Sequence, residues 1–309
     1  MKGERALVTG GAGFIGGHLV TSLLDRGVSV TVLDDLSVGS RERVPAGAEL
    51  VVGDVRDAAL VGRLTGAADV VFHLAARVTI RGSVEGFRED HDVNLGGTLT
   101  LLGALPGSPV RRLVTASSMA VYADAADGAP VAEEHSTRPL SPYGASKLAA
   151  EHYTRILCGA MGIEQVSLRY FNTWGPGQTP TPYVGVITIF ITQLLAGTRP
   201  TILGDGLQTR DFVHVRDVVS ATVAAMDAEL EETVINVGTG RGTTVVDLAL
   251  AVAQAVGVDL QPVHVEARAE ELRCSVADIT RARRVLGFSP QEALDLGPLV
   301  HWWRDRSGR

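Results

Sequence analysis

Tyr143 and Lys147, within Ser141-Pro142-Tyr143-Gly144-Ala145-Ser146-Lys147, are the residues whose types and spacing point most directly to chemistry. Ser141 suits a helix N-cap and Pro142 the first helical position, so a helix is expected to start here. Tyr143 and Lys147 then stand at i and i+4 on one face. A free phenol titrates near ~10 and is a poor base at neutral pH. A nearby ammonium lowers that value and makes a phenolate usable as a proton acceptor. The plain alternative is a surface Tyr and Lys at helical spacing, so the rest of the chain has to decide.

A second motif stands at the start. Gly10-Gly11-Ala12-Gly13-Phe14-Ile15-Gly16 follows a β-rich run and opens a helical pattern. Such a run gives a tight turn, a close backbone approach to a pyrophosphate, and a helix N-terminus whose free N–H groups favour an anion. Asp34 comes 18 residues after Gly16, at the end of the next β-rich run. A carboxylate there accepts hydrogen bonds from an adenosine ribose and repels a 2′-phosphate, which favours NAD over NADP. Asp54, ending a third run, is a candidate for the adenine amino group, or simply a strand-end Asp.

The elements that must hold these residues alternate in type. Strands are expected at 5–9, 29–33, 49–52, 69–73, 112–117 and 165–169, with helices at 14–26, 57–64, 92–105 and 142–161. Such alternation means βαβ units, and so a parallel, doubly wound α/β sheet covered by helices on both faces, of the Rossmann type. From about residue 173 the texture changes to a Gly/Pro-rich loop, then a helix at 186–196, a short strand at 201–203, a helix at 215–226 and a strand at 233–237 joining the large sheet. Helices at 244–256, in the 280s and at 297–303 complete a smaller, discontinuous α/β lobe. The expected division is 1–173 plus 210–238 for the dinucleotide domain and 174–209 plus 239–309 for the second lobe.

Composition sets outer bounds. The 309 residues are 45% hydrophobic and 20% charged, ordinary for a globular chain. A net charge of −7 gives no general field for nucleic acid, so an anionic ligand has to be gripped locally. Cys158 and Cys274 have no metal-ligand spacing and cannot form a disulfide framework. No metal site, signal peptide or membrane span is expected, and a cytoplasmic location is the default.

TGGAGFIG, Asp34, HLAA (73–76), Asn94, SSMAVY (117–122), YGASK and RYFN (169–172) occur in the order and spacing of extended short-chain dehydrogenases/reductases. The chain resembles their NAD-dependent epimerase/dehydratase group, nearest to UDP-glucose/UDP-galactose or UDP-glucuronate 4-epimerases. TILGDG (201–206) and RDFVHVRDV (210–218) extend the resemblance over nearly the whole length. By that resemblance Ser118, Tyr143 and Lys147 are catalytic, Ser118 meeting the reacting sugar hydroxyl and Lys147 the nicotinamide ribose. NAD is then implied to contact Gly10, Gly13, Phe14, Ile15, Gly16, Asp34, Asp35, Ser37, Gly39, Asp54, Val55, Leu74, Ala75, Ala76, Asn94 and Tyr170, together with Tyr143 and Lys147. A UDP-sugar is implied to meet Ser118, Asn172, Thr173, Val186, Ile187, Thr201, Leu203, Arg210, Arg268 and Glu271. Arg81 or Thr173 is a candidate for accommodating a C6 carboxylate, the alternative for Arg81 being a loop arginine that packs over the cofactor or faces solvent.

Two departures matter. The family's Arg-Pro-Gly-Asp/Glu stretch reads Arg268-Ala269-Glu270-Glu271 here, losing the Pro-Gly turn and making Arg273 a rival phosphate ligand. Dehydratases of the group carry Asp-Glu directly after the Ser118 position, decarboxylases a Glu two residues on, and epimerase/reductases a Cys. Here Met119 and Ala120 follow, and neither side chain moves a proton. 4-Epimerisation needs no second acid and is the expected reaction, with dehydration or decarboxylation as the alternative. The resemblance also implies a homodimer that pairs the helices near 92–105 and 142–161; the apolar Leu95, Leu99, Leu102, Leu148, Ile156 and Leu157 are compatible with that interface and equally with a monomer core.

Overall fold

The computed structural model describes residues 3–78, 84–125, 128–178, 185–259, 261–267 and 272–307. Its main sheet has seven parallel strands. In chain order these are β1 (Arg5–Thr9), β2 (Ser29–Asp34), β3 (Glu49–Val52), β4 (Val70–His73), β5 (Arg112–Ser118), β6 (Glu164–Tyr170) and, after an excursion, β10 (Val234–Val237). The spatial order is β10-β6-β5-β4-β1-β2-β3, so the winding reverses between β1 and β4. A crevice opens at the carboxyl ends of strands at such a reversal.

Alternating side chains divide the core into two layers. Ala6 and Val8 of β1 and Val114 of β5 pack with Leu19, Val20 and Leu23 of α1 (Phe14–Asp25), and the same cluster takes in Val218 of α7 (Val215–Ala224). Leu7 and Leu113 face the other way, into a cluster with Val61 of α2 (Ala58–Thr65), Leu101 of α4 (Gly97–Gly103) and Cys158 of α5 (Pro142–Met161). Period-two alternation between two apolar layers is what makes the strands read as near-continuous hydrophobic runs. Each fully buried Leu or Val adds roughly 1.5–3 kcal/mol to this core.

The expected helix over 92–105 is broken into a π turn and a short α-helix, and a further short helix precedes it. The short α3 (Phe87–His91) runs through a π turn (Asp92–Gly96) into α4. Gly97 sits so close to Val55 that a Cβ there would lie 2.5 Å from a Val55 methyl, which fixes how deeply this stretch sinks against the sheet.

The second lobe holds the expected strand at 201–203 together with short strands that sequence pattern does not reveal. β7 (Asn172–Trp174), β9 (Thr209–His214), β11 (Gly242–Thr244) and β13 (Cys274–Ser275) form one small sheet, and β8 (Thr201–Leu203) pairs with β12 (Val263–Val265). Apart from β8, these strands are short and rich in Thr, Arg and His, so only their pairing partners identify them. Helices α6 (Val186–Leu195), α8 (Val245–Val256) and α10 (Gly297–Ser307) share a core around Phe190, Ile191, Leu248 and Leu299, and α9 (Thr280–Leu286) packs beside α7.

Candidate active site

The Gly10–Gly16 turn lies at the crevice where the winding reverses. Gly10 has φ +73°, and a Cβ on it would stand 2.6 Å from the Ala75 nitrogen. A Cβ on Gly16 would be 2.1 Å from the Gly10 carbonyl oxygen, and one on Gly39 2.8 Å from the Ala12 oxygen. The turn is therefore built from backbone in contact with backbone, as a close pyrophosphate approach requires. Gly13 starts α1 without a side-chain cap and no acid stands in the first turn, so the helix's own first turn offers no group that competes for its positive end. Asp34 closes the far side: its carboxylate accepts from Ala12 N and Leu36 N, both at 2.9 Å. Leu36 is left-handed (φ 61°), which turns the chain away immediately behind the acid. Asp35 accepts from the backbone and hydroxyl of Ser37. These residues fit NAD.

A chain of neutral hydrogen bonds braces the β4 end of the crevice. Thr98 Oγ1 donates to the Asn94 carbonyl (2.7 Å), so its lone pair accepts from His73 Nε2 (3.0 Å). His73 Nδ1 must then accept from Thr9 Oγ1 (2.8 Å), which in turn accepts from Ala75 N (3.2 Å). Burial, assisted by the charge of Lys147, pushes His73 down to about 3, so it stays neutral in this role. The Asn94 amide accepts from Arg77 N and donates to Arg77 O, clamping the stretch that contains Leu74, Ala75 and Ala76. Val55 is buried, whereas Asp54 is partly exposed and paired with Arg56.

β5 delivers Ser118, and α5 delivers Tyr143 and Lys147 beside it. Ser141 Oγ accepts from Gly144 N (3.1 Å), Pro142 occupies the first turn, and Gly162 (φ 69°) ends the helix. Gly144 is what brings the two elements together: a Cβ there would lie 2.3 Å from the Ala120 carbonyl oxygen. The Ser118 hydroxyl bonds the Tyr143 phenol and accepts from Ala120 N at 3.2 Å. Tyr143 and Lys147 are both buried, and Lys147 Nζ lies 5.9 Å from the Tyr143 ring centre and donates to Ala116 O at 2.9 Å.

The electrostatics differ from the simple expectation. Burial pushes the Tyr143 phenol up to about 12, and the Ser118 hydroxyl only partly offsets this. Burial also takes Lys147 down to about 8, against the upward pull of Asp90 and Glu151. At these positions desolvation outweighs the tyrosine–lysine attraction that the i, i+4 spacing suggests.

Behind the pair lies a buried network that sequence reasoning missed. Arg169 donates to both Glu151 oxygens (2.9 and 2.6 Å), Ser117 donates to the same carboxylate, and the guanidinium stacks 4.6 Å over Tyr122. Tyr122 donates in turn to Asn236 Oδ1 at 2.6 Å. Glu151 could have been found, being one turn beyond Lys147. Asp90, Gly144 and Asn236 carry no sequence signal of their own.

The remaining candidates lie on β6 of the main sheet and in the second lobe. Tyr170 OH shares a 2.8 Å hydrogen bond with Thr222. Asn172 Nδ2 donates to Asp211 O, and Thr173 Oγ1 to Phe171 O. The pairing of β7 with β9 sets Asn172 opposite Phe212, two positions from Arg210. Asp211 accepts from Thr239, Gly240 and Ala277, and Asp217 from Gln291 N and Glu292 N, so both acids are committed away from Arg210. Val186 and Ile187 begin α6, while Thr201 and Leu203 lie at the two ends of β8. Arg273 is held by both oxygens of Asp205. Arg81, Arg268 and Glu271 lie outside the described residues.

Residues 6–238 match the model of the NAD dependent epimerase/dehydratase family. The chain belongs to that family. Members resembling it span its full length: a UDP-glucose 4-epimerase of Mycolicibacterium smegmatis is 40% identical, over 98% of this chain and 99% of the relative. Among solved structures, a UDP-glucose 4-epimerase of Thermotoga maritima with UDP-glucose superposes with a TM-score of 0.94 at 35% identity, covering 98% and 99% of the two chains. One from Thermus thermophilus in complex with NAD gives 0.90 at 38% identity, covering 97% and 99%. The family also includes a UDP-N-acetyl-alpha-D-glucosaminuronate decarboxylase of Bacillus cytotoxicus, 32% identical over 98% of each chain, so membership alone leaves the reaction open. This member is an NAD-dependent enzyme, and no described helix is long and apolar enough to cross a membrane.

Proposed function

We propose that the protein inverts C4 of a UDP-hexose, UDP-glucose/UDP-galactose or UDP-glucuronate/UDP-galacturonate, through a transient 4-keto sugar. The observation that carries this reading is the composition of the buried proton-transfer site: Ser118, Tyr143 and Lys147 converge, and the turn that follows offers only Met119, Ala120 and Val121. The long-range likeness to 4-epimerases supports it.

The glycine cradle and Asp34 would hold NAD, which would supply a hydride acceptor, later the donor, and a positive charge that favours the phenolate. Ser118 orients the C4 hydroxyl towards Tyr143. Tyr143 takes the hydroxyl proton as the carbonyl forms and returns it when the other face is reduced. Lys147 holds the ribose and keeps a positive charge beside the phenolate. Asn172 and Arg210 hold the diphosphate, a guanidinium being well suited to bidentate phosphate contact, and Val186, Ile187, Thr201 and Leu203 line the nucleotide end. Because no group next to Ser118 can protonate a leaving hydroxyl, elimination of water is disfavoured. The protein acts as a homodimer through α4 and α5, where Leu99, Tyr153, Ile156 and Leu157 are exposed while Leu95 and Leu102 belong to the monomer core.

Proton NMR in D₂O with NAD and UDP-glucose, UDP-galactose, UDP-GlcNAc and UDP-glucuronate tests the reading. Interconversion of C4 epimers with no deuterium entering the sugar is expected. Deuterium at C5 with loss of water, or loss of CO₂, would overturn it.

A further inference from the structure

A buried cation needs a compensating negative charge or it loses its proton. Lys147 donates to a neutral carbonyl, Ala116 O, and the two carboxylates that act on it are Asp90 and Glu151. They are not equivalent. Glu151 is already matched by two bonds from Arg169 and a third from Ser117. Asp90, on α3, has no exposed surface, and its Oδ2 accepts from Ser146 Oγ at 3.2 Å. Its Oδ1 is buried and makes no hydrogen bond of ordinary geometry among the described residues. The nearby Asn94 amide is committed to the backbone of Arg77, and the Arg77 guanidinium is paired with Glu89. Ser146 directly precedes Lys147, and α3 packs against α5.

We propose that Asp90 is a positioning residue of the proton-transfer pair: its buried carboxylate is the counter-charge that keeps Lys147 an ammonium, and its bond to Ser146 fixes the turn of α5 that carries the lysine. This rests on reading Tyr143 and Lys147 as the groups that handle the proton. The charged and titratable groups facing the lysine are Asp90, Glu151, Tyr143 and His73, with Arg77 facing Asp90 from the other side. Burial raises the Asp90 carboxyl, and Ser146, Asn94, Lys147 and Arg77 draw it back down. Asp90 in turn raises both Lys147 and Tyr143. Removing its charge must therefore move both groups towards acid.

The chain's only lysines are Lys2 and Lys147, so ¹³C-lysine NMR reads Lys147 almost in isolation. In the isosteric Asp90→Asn variant the Lys147 midpoint should fall by about one pH unit, with Lys2 unmoved. Ser146→Ala, which removes the hydroxyl that donates to the carboxylate, should shift it the same way by less, and keeps the test open if Asp90→Asn does not fold. A Lys147 midpoint unchanged or raised in the folded variants overturns the proposal. The pH–rate profile of Asp90→Asn should likewise move to acid on both limbs. Because the NMR titration needs no substrate, it stands apart from turnover: a wild-type protein that inverts no sugar would break the proposed function and leave the Asp90 result intact.

Discussion

The dinucleotide turn and the proton-transfer helix stand on either side of the same crevice and are built on opposite principles. The turn works by lacking side chains. Gly10, Gly16 and Gly39 let backbone touch backbone, and Asp34 is held by two backbone N–H groups. The helix works by burying side chains: Ser118, Tyr143, Lys147, Asp90 and Glu151 are all withdrawn from water. A steric site tolerates no added atom, whereas a desolvated site tolerates shape-conserving changes but responds sharply to charge. The difference teaches where each half is vulnerable, and four changes would break or sharpen it.

The largest effect is expected at the phenol. Tyr143→Phe removes one oxygen and should lower turnover by roughly 10²–10⁴ while NAD is retained. Steady-state kinetics with cofactor content measured on the same sample checks both halves, and unchanged turnover would remove Tyr143 as the base.

On the steric side, Gly16→Ala places a methyl 2.1 Å from a carbonyl oxygen with no side chain to yield. A loss of about 1–3 kcal/mol in NAD affinity or stability is expected from such overpacking. Isothermal titration and thermal melts would register it, and an alanine variant that binds NAD as the parent does would mean the turn has slack the contact distances deny.

The pH response belongs to the buried side. In the proposed mechanism Lys147 works as the ammonium; burial holds it near 8, below an ordinary lysine, so its proton is lost as pH rises through that value. Turnover should therefore decline above about pH 8, towards tenfold per unit. A rate still climbing at pH 10 would show that the lysine's charge is not required.

The smallest effect is expected at the rim. Asp54 and Arg56 form a partly exposed pair, so Arg56→Ala should alter stability by no more than about 1 kcal/mol and leave NAD affinity within a few-fold. A much larger loss of NAD would make Arg56 itself a cofactor contact.

The two regions also differ in how far they can be read without a structure. Glycine spacing, the acid 18 residues on and the Ser-Pro start of α5 are local signals, because a tight turn, a strand end and a helix cap are each decided within a few residues. The same holds for the seven parallel strands, whose apolar runs are long enough to show their type. The small sheet was not legible: a three-residue strand such as Gly242–Thr244 exists because β9 is there to pair with it. The broken helix around 92–105 was hidden for a related reason, since Asn94 in the π turn bonds the backbone of Arg77 and Gly97 just after it abuts Val55, contacts that lie far off in sequence.

By itself the sequence determined the doubly wound fold, the dinucleotide turn and the one-face alignment of Tyr143 with Lys147, because periodicity, turn chemistry and helical spacing are short-range. Tertiary structure alone decided the electrical state of that pair. Burial, a property of the whole packed domain, drives the phenol up and the lysine down, and only the fold brings Asp90 from a separate helix to Ser146 and Lys147 and commits Glu151 to Arg169.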